Sequence, residues 1–188
     1  MLFRSVFKNA SSSFDIFAPH PYAGARYVGS EGTALSPEEN DLKGKMLNYL
    51  DMTKRYPGQK ELWIGELGWG MDLDVSLISP YSRTYAEYLC RTFLISMSIP
   101  ELKKLIWFTS YGCLEGKRYE YGIWHNRKGL QPLPSTAAYA NLSSIFSAGH
   151  EVKEILSDND LKVYVFKSGK SVVRSEEHTS ELQSPNTI

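Results

Sequence analysis

Apolar strand-like segments and amphipathic helical segments alternate along most of this chain, and this alternation restricts its fold more than any other feature. Three segments have the apolar, aromatic-rich composition of buried strands: residues 14–22, 61–67 and 103–111. Helical periodicity or helix-start residues surround them, at residues 2–8, from Pro37 and Glu38, from Ser79 and Pro80, and over 135–146. Regular alternation of strand and helix predicts an α/β fold with a parallel sheet.

The pattern changes after Gly149, where three short strand-like segments follow one another without a helix. They are HEVKEIL, LKVYVF and SGKSVV, and pairs of turn-forming residues separate them. We therefore expect residues 1–148 to form one α/β domain and residues 149–173 to begin a small, truncated β domain.

Residues 174–188 lack the apolar periodicity of the segments before them. The string RSEEHTSELQS at their start resembles the conceptual translation of a common DNA sequencing adapter. We therefore predict that residues 174–188 are a non-native tail without a chemical role, the alternative being an ordinary solvated, charged tail. The chain also begins inside a helical pattern with no capping residue ahead of it, so we expect both ends to be truncated.

Composition and charge argue against several classes of partner. The formal net charge is zero, which does not favour a surface for nucleic acid or anionic membrane, and no apolar run reaches the length of a membrane span. The two cysteines, Cys90 and Cys113, are too few for a disulfide framework or a zinc site, and no metal or cofactor is expected. Aromatic residues make up 13% of the chain, a share that suits sugar recognition as well as core packing.

Residues that suit catalysis stand at the ends of the three predicted strands. His20 and Tyr22 end the first strand, Glu66 ends the second in the string IGELGW, and Trp107 lies towards the end of the third. Because the carboxyl ends of parallel strands meet at one edge of the sheet, we expect these side chains to lie close together.

This ordered set resembles the C-terminal part of a clan A glycoside hydrolase, the group that includes families 5 and 39. In that clan a His-x-Tyr pair typically ends the sixth strand of a (β/α)8 barrel, a nucleophilic Glu ends the seventh and a Trp ends the eighth. The string LPSTAAYANLSSIF resembles the last barrel helix. The resemblance covers about residues 1–167 and implies strands six to eight of a TIM barrel, followed by the start of a small β-sandwich.

The resemblance also implies roles for individual residues in a retaining O-glycosidase. Glu66 would be the nucleophile, with Tyr22 as a hydrogen-bond donor to it, and His20 would contact the substrate. Trp107 would form the floor under the sugar. The remaining walls would come from Trp69 and Tyr111.

Each of these assignments has a structural alternative. Glu66 is also explained by an ion pair with Arg26 or Lys60, and His20 by termination of its strand before a proline. Trp107 is equally suited to the core, and Trp69 to the packing of a loop.

One catalytic group of the family has no counterpart in this sequence. The acid/base Glu of the family follows an Asn, and no Asn-Glu dipeptide is present in the chain. We therefore expect a fragment of a retaining glycosidase that needs the N-terminal half of its barrel for folding and is inactive by itself. Its partner would be a carbohydrate substrate rather than nucleic acid or membrane. The alternative is a barrel protein that binds carbohydrate without catalysis.

Overall fold

The structure is a computed structural model. It describes residues 2–22, 27–28, 34–58, 60–72, 80–111, 119–125, 130–147, 149–157, 161–168 and 171–178. The chain divides into two compact units, Met1–Leu142 and Ser143–Ile188. The predicted domain boundary at residues 148 and 149 lies a few residues beyond this division.

A three-stranded parallel sheet forms the centre of the first unit. Its strands are β1 (Ile16–Phe17), β3 (Glu61–Leu67) and β5 (Leu102–Trp107), in the order β1-β3-β5. The predicted α/β class with a parallel sheet is therefore confirmed. Because β3 is central, the residues that follow β1 and β5 lie on either side of its carboxyl end.

In the described ranges, four α-helices accompany the strands. They are α1 (Leu2–Ala10), α2 (Leu42–Arg55), α3 (Pro80–Met97) and α4 (Pro134–Phe146), and a short 3₁₀ turn at Ser11–Ser13 follows α1. Apolar residues of α2 and α3 are buried at helical spacing, among them Leu42, Met46, Tyr85 and Leu89. These faces, together with the buried strand residues, make the core of the first unit.

The two faces of the parallel sheet differ in burial. On one face the side chains are buried: Phe17, Leu62 and Ile64. On the other face Ile16 and Ile106 are 41% and 48% exposed, and the ammonium group of Lys104 lies 4.1 Å from the ring centre of Trp63. Parallel sheets are normally covered on both faces, and one face here is open among the described residues.

Several predicted elements begin or end elsewhere, and the strand expected over residues 103–111 ends at Trp107. The strand expected over residues 14–22 is limited to Ile16–Phe17, because prolines at 19 and 21 have no N–H for a ladder. The helix expected from Pro37 and Glu38 begins at Leu42. Ser36 and Glu39 do cap a turn reciprocally, but Asp41 adopts φ +48° and separates this turn from α2.

Short strands tie together the loops that follow the central sheet. Strand β4 (Gly70–Asp72) pairs in parallel with β2 (Tyr27–Val28) and antiparallel with β6 (Tyr119–Glu120). Strand β7 (Trp124–His125) pairs antiparallel with β8 (Gln131–Pro132). The loops at the carboxyl edge of the sheet therefore have their own backbone hydrogen bonds.

The second unit contains an antiparallel sheet of three strands. They are β9 (Glu151–Ser157), β10 (Leu161–Ser168) and β11 (Ser171–His178), with β10 in the centre. Strand β11 continues past residue 174, where the predicted non-native tail begins. The adapter origin of residues 174–188 and the β-sandwich assignment stay predictions.

Candidate active site

Glu66 and the two polar residues predicted beside it lie together in the structure. The Tyr22 hydroxyl donates a hydrogen bond of 2.5 Å to Oε1 of Glu66. Nδ1 of His20 lies 3.7 Å from Oε2 of the same carboxylate. The side chain of Glu66 is one-third exposed, at 33%, and that of His20 is 50% exposed. The carboxylate therefore has a donor on one oxygen, an imidazole near the other and access to solvent.

The absence of a side chain at Gly65 brings the segment 18–22 against β3. The backbone N–H of Gly65 donates to the carbonyl of Pro19 at 3.2 Å. A Cβ at position 65 would lie 3.1 Å from Ala18 and from the His20 ring, closer than most real contacts. The chain after β1 therefore runs beside β3 closely enough for His20 and Tyr22 to reach Glu66.

Gly68 allows a similar close approach on the other side of β3. A Cβ at this position would lie 2.1 Å from the carbonyl oxygen of Phe108, a severe steric clash with the backbone. The N–H of Phe108 donates to the carbonyl of Leu67 at 2.9 Å, and the peptide bond between Phe108 and Thr109 is cis. The ends of β3 and β5 are thus in direct backbone contact at the site.

An aromatic group that sequence reasoning missed lies next to Tyr22. The ring of Tyr121, 7% exposed, contacts the rings of Tyr22 and Phe108 edge to face, with centroid distances of 6.4 Å and 5.4 Å. The Tyr121 carbonyl accepts hydrogen bonds from the Tyr85 hydroxyl at 2.5 Å and from the Thr109 N–H at 3.2 Å. No local sequence pattern indicates Tyr121, since its contacts join distant segments.

Trp107 and Trp69 lie in an aromatic cluster behind the site. The Trp107 ring stacks near Trp69 and Phe93, at 6.0 Å and 6.1 Å, and meets Tyr85 edge-on at 6.1 Å. Trp69 has no exposed surface, and its Nε1 donates to the carbonyl of Leu35 at 3.0 Å. These surroundings are the core and loop packing that the sequence analysis named as alternatives, and a fully buried Trp69 presents no face to a ligand.

The structure also bears on the ion pairs suggested for Glu66. Lys60 donates to the carbonyl of Pro57 and lies over the ring of Phe14, so it does not pair with Glu66. Arg26, the other candidate partner, lies outside the described residues.

Tyr111 is 60% exposed at the end of the segment that follows β5, and its backbone forms an isolated parallel β-bridge with Trp124.

The described residues contain neither a metal-binding cluster nor a membrane-spanning helix. Within the described ranges no three or more His, Cys, Asp or Glu side chains are grouped so that they could hold a metal ion. Likewise, no helix in the described part of the chain is both long and apolar enough to cross a membrane.

A partly exposed carboxylate with a hydrogen-bond donor is suited to nucleophilic or general-base chemistry, or to binding a polar ligand.

Comparison with known proteins shows a likeness in fold. No protein-family model matches the chain, and no curated protein matches it. Among solved structures, it is similar to a family 39 glycoside hydrolase from the gut symbiont Bacteroides cellulosilyticus WH2, with a TM-score of 0.67 and 18% sequence identity. The match covers 94% of this chain and 36% of that chain, so this chain spans about a third of the solved protein's length. The chain therefore has a fold similar to that of part of this glycoside hydrolase structure.

Proposed function

We propose that this chain is part of a retaining glycoside hydrolase in which Glu66 is the nucleophile. The observation that carries the proposal is the hydrogen bond from Tyr22 to Glu66, with His20 beside the second carboxylate oxygen. A nucleophilic carboxylate must be held in one orientation, and a hydroxyl donor to one of its oxygens does this. The likeness in fold to a family 39 glycoside hydrolase supports the same reading.

The proposed reaction is a double displacement at the anomeric carbon. A carboxylate oxygen of Glu66 attacks this carbon, the bond to the aglycone oxygen breaks, and a carboxylic acid protonates the leaving oxygen. Water, deprotonated by the same acid/base group, then cleaves the glycosyl ester and releases Glu66. The acid/base carboxyl, about 5 to 5.5 Å from the nucleophile in retaining enzymes, would come from residues outside this chain.

The open face of the parallel sheet supports a barrel that is completed by further chain. Strands β1 and β5 are the edges of this sheet, and the face that carries Ile16 and Ile106 is uncovered among the described residues. Closure into a (β/α)8 barrel pairs both edges and buries this face. Additional βα units would therefore supply the neighbouring strands, the inner layers and the acid/base group.

The surface offered to a sugar would be mixed polar and aromatic. His20 and Tyr111 are exposed near the carboxyl edge of the sheet. Phe108 follows directly after β5 and is partly exposed. Its ring contacts Tyr121, which also contacts Tyr22. In this proposal Phe108 provides the apolar floor, and Trp107 and Trp69 support it from behind.

The test is removal of the nucleophile in the full-length protein that contains this chain. Glu66→Gly is expected to lower the hydrolysis of aryl glycosides by roughly a thousandfold or more, about 4 kcal/mol of barrier. Azide should restore turnover and yield a glycosyl azide of inverted configuration, because a small anion can occupy the vacated space. Glu101→Gln, which changes an exposed carboxylate in the turn before β5, is the control and should keep full activity.

Two outcomes contradict the proposal. Retention of activity in Glu66→Gly would remove Glu66 from the chemistry. If the unsubstituted protein binds polysaccharide without hydrolysis, and Glu66→Gln binds equally well, the carbohydrate-binding alternative applies.

A further inference from the structure

We infer that Tyr121 is a positioning residue for Glu66 and acts through Tyr22. The inference rests on the proposed function and extends it to the loop after β5. Tyr121 contacts the ring of Tyr22, and the proposed reaction assigns it no contact with the sugar. Its role would be to hold the Tyr22 ring so that the hydroxyl points at Oε1 of Glu66.

Tyr121 is more deeply buried than the two aromatic rings that it contacts. Its side chain is 7% exposed, whereas Tyr22 and Phe108 are partly exposed. The Tyr121 ring meets Tyr22 at 83° and Phe108 at 63°, both edge-to-face arrangements. Edge-to-face contact is a preferred geometry of aromatic pairs, so Tyr121 favours one orientation of each ring.

The backbone of Tyr121 is anchored separately from its ring. Its carbonyl oxygen accepts one hydrogen bond from the hydroxyl of Tyr85 and another from the N–H of Thr109. Tyr85 is fully buried in α3, and Thr109 follows β5. A rigid helix and the strand end therefore fix Tyr121, which in turn can fix its neighbour.

Tyr22 needs such support because it lies outside the sheet ladder. It follows two prolines, and its N–H donates to the nearby carbonyl of His20 at 2.9 Å. Its ring must reach across to β3 to place the hydroxyl 2.5 Å from Glu66. A loss of ring contact with Tyr121 would widen the range of Tyr22 orientations and weaken this hydrogen bond.

A double-mutant cycle tests the inference in the full-length protein. The probe is a 2,4-dinitrophenyl 2-deoxy-2-fluoroglycoside of whichever sugar the native protein hydrolyses, and the readout is the rate of covalent labelling of Glu66. Its leaving group departs without protonation, so the rate reports on the nucleophile alone. Tyr121→Leu and Tyr22→Phe are each expected to slow labelling about tenfold. The double variant should label no more slowly than Tyr22→Phe, because Tyr121 acts through the Tyr22 hydroxyl.

Conservative and matched variants separate positioning from simple packing. Tyr121→Phe keeps the ring and should label clearly faster than Tyr121→Leu. Phe7→Leu, which truncates a fully buried aromatic residue outside the site, should lower the melting temperature and leave the labelling rate unchanged. If Tyr121→Leu does not fold, Tyr85→Phe serves instead. It removes the hydrogen bond to the Tyr121 carbonyl and is expected to slow labelling several-fold.

The outcomes distinguish the inference from the proposed function. The positioning role would be overturned if the double variant slowed labelling by the product of the two single effects. It would also be overturned if Tyr121→Leu, or Tyr85→Phe in its place, labelled at the native rate. Failure of the native protein to label Glu66 would instead overturn the proposed function.

Discussion

The hydroxyl of Tyr22 donates a hydrogen bond to the carboxylate of Glu66 across 44 positions of sequence. The contact arises because Tyr22 follows β1, Glu66 lies near the end of β3, and these two parallel strands are neighbours. Gly65 allows the segment between them to approach. Sheet topology and one missing side chain are thus sufficient to create the candidate site.

Loss of the Tyr22 hydroxyl should weaken catalysis without unfolding the protein. A hydrogen bond to a charged group contributes about 1.5–3 kcal/mol, so Tyr22→Phe is expected to lower kcat/KM by roughly ten- to a hundredfold. Steady-state kinetics with an aryl glycoside check this in the full-length protein. Tyr139→Phe, a partly exposed tyrosine on α4, is the control and should retain native kinetics. Equal kinetics in both variants would show that the hydrogen bond does not contribute.

A side chain at position 68 should be incompatible with the native backbone. In Gly68→Ala the new Cβ would meet the Phe108 carbonyl at 2.1 Å, and relief would require β3 and β5 to separate at their ends. Destabilisation of about 3 kcal/mol or more is expected from denaturant unfolding. In the control, Gly44→Ala, the atoms nearest to the new Cβ belong to the movable side chain of Asp41. This variant should unfold within about 1 kcal/mol of the native protein, and a similar loss in both would contradict the account.

The ion pair between Arg91 and Glu38 should matter more for stability than an exposed pair on the same helix. Glu38 is 5% exposed and Arg91 is 22% exposed, so removal of the arginine takes a positive charge away from a buried carboxylate. Arg91→Met is expected to destabilise the fold by about 3 kcal/mol. Arg83, which pairs with Glu87 at an exposed site, provides the control, and Arg83→Met should change stability by less than about 0.5 kcal/mol. Thermal or chemical unfolding that ranks the two variants the other way would refute this assignment.

The thiol of Cys90 should react slowly in the folded protein. Burial raises its pKa, and the nearby carboxylate of Glu87 raises the pKa further, so the reactive thiolate is scarce near neutral pH. Iodoacetamide at pH 8, followed by peptide mass spectrometry, should label Cys90 at least about tenfold more slowly in native protein than in guanidinium.

The same shift has a consequence for stability at high pH. Because the folded state raises the pKa, the unfolded chain loses the proton first as pH increases. The contribution of Cys90 to stability is therefore complete below the unfolded pKa of about 8.5 and declines above it. Cys90→Ala should reduce the loss of stability between pH 8 and pH 10, and an unchanged pH dependence would count against the shift.

Much of the fold follows from local sequence patterns. The apolar run of residues 62–64 and the glycines around Glu66 predict β3 and its end, and Pro80 marks the first residue of α3. The strand-to-strand order follows from alternation with helices. The left-handed conformation of Asp41 could not be predicted, because an aspartate adopts it only where the surrounding contacts require it.

The side-chain environment of the site was harder to predict than the strands. Trp107 and Phe108 are adjacent aromatic residues, and side chains alternate between the two faces of a strand. An error of one residue in the expected register therefore assigns each ring to the wrong face. The structure packs Trp107 with Phe93 of α3 and Phe108 with Tyr121. The contact between Tyr121 and Tyr22 joins residues about a hundred positions apart, which no local pattern encodes.

Covalent trapping of the nucleophile tests the central claim most directly. The full-length protein is incubated with a panel of 2,4-dinitrophenyl 2-deoxy-2-fluoroglycosides, digested and analysed by tandem mass spectrometry. The account predicts time-dependent inactivation, with one fluoroglycosyl group esterified to Glu66 and none in the Glu66→Gln variant. A label on another residue, or hydrolysis of the parent glycosides with inversion and no label, would contradict it.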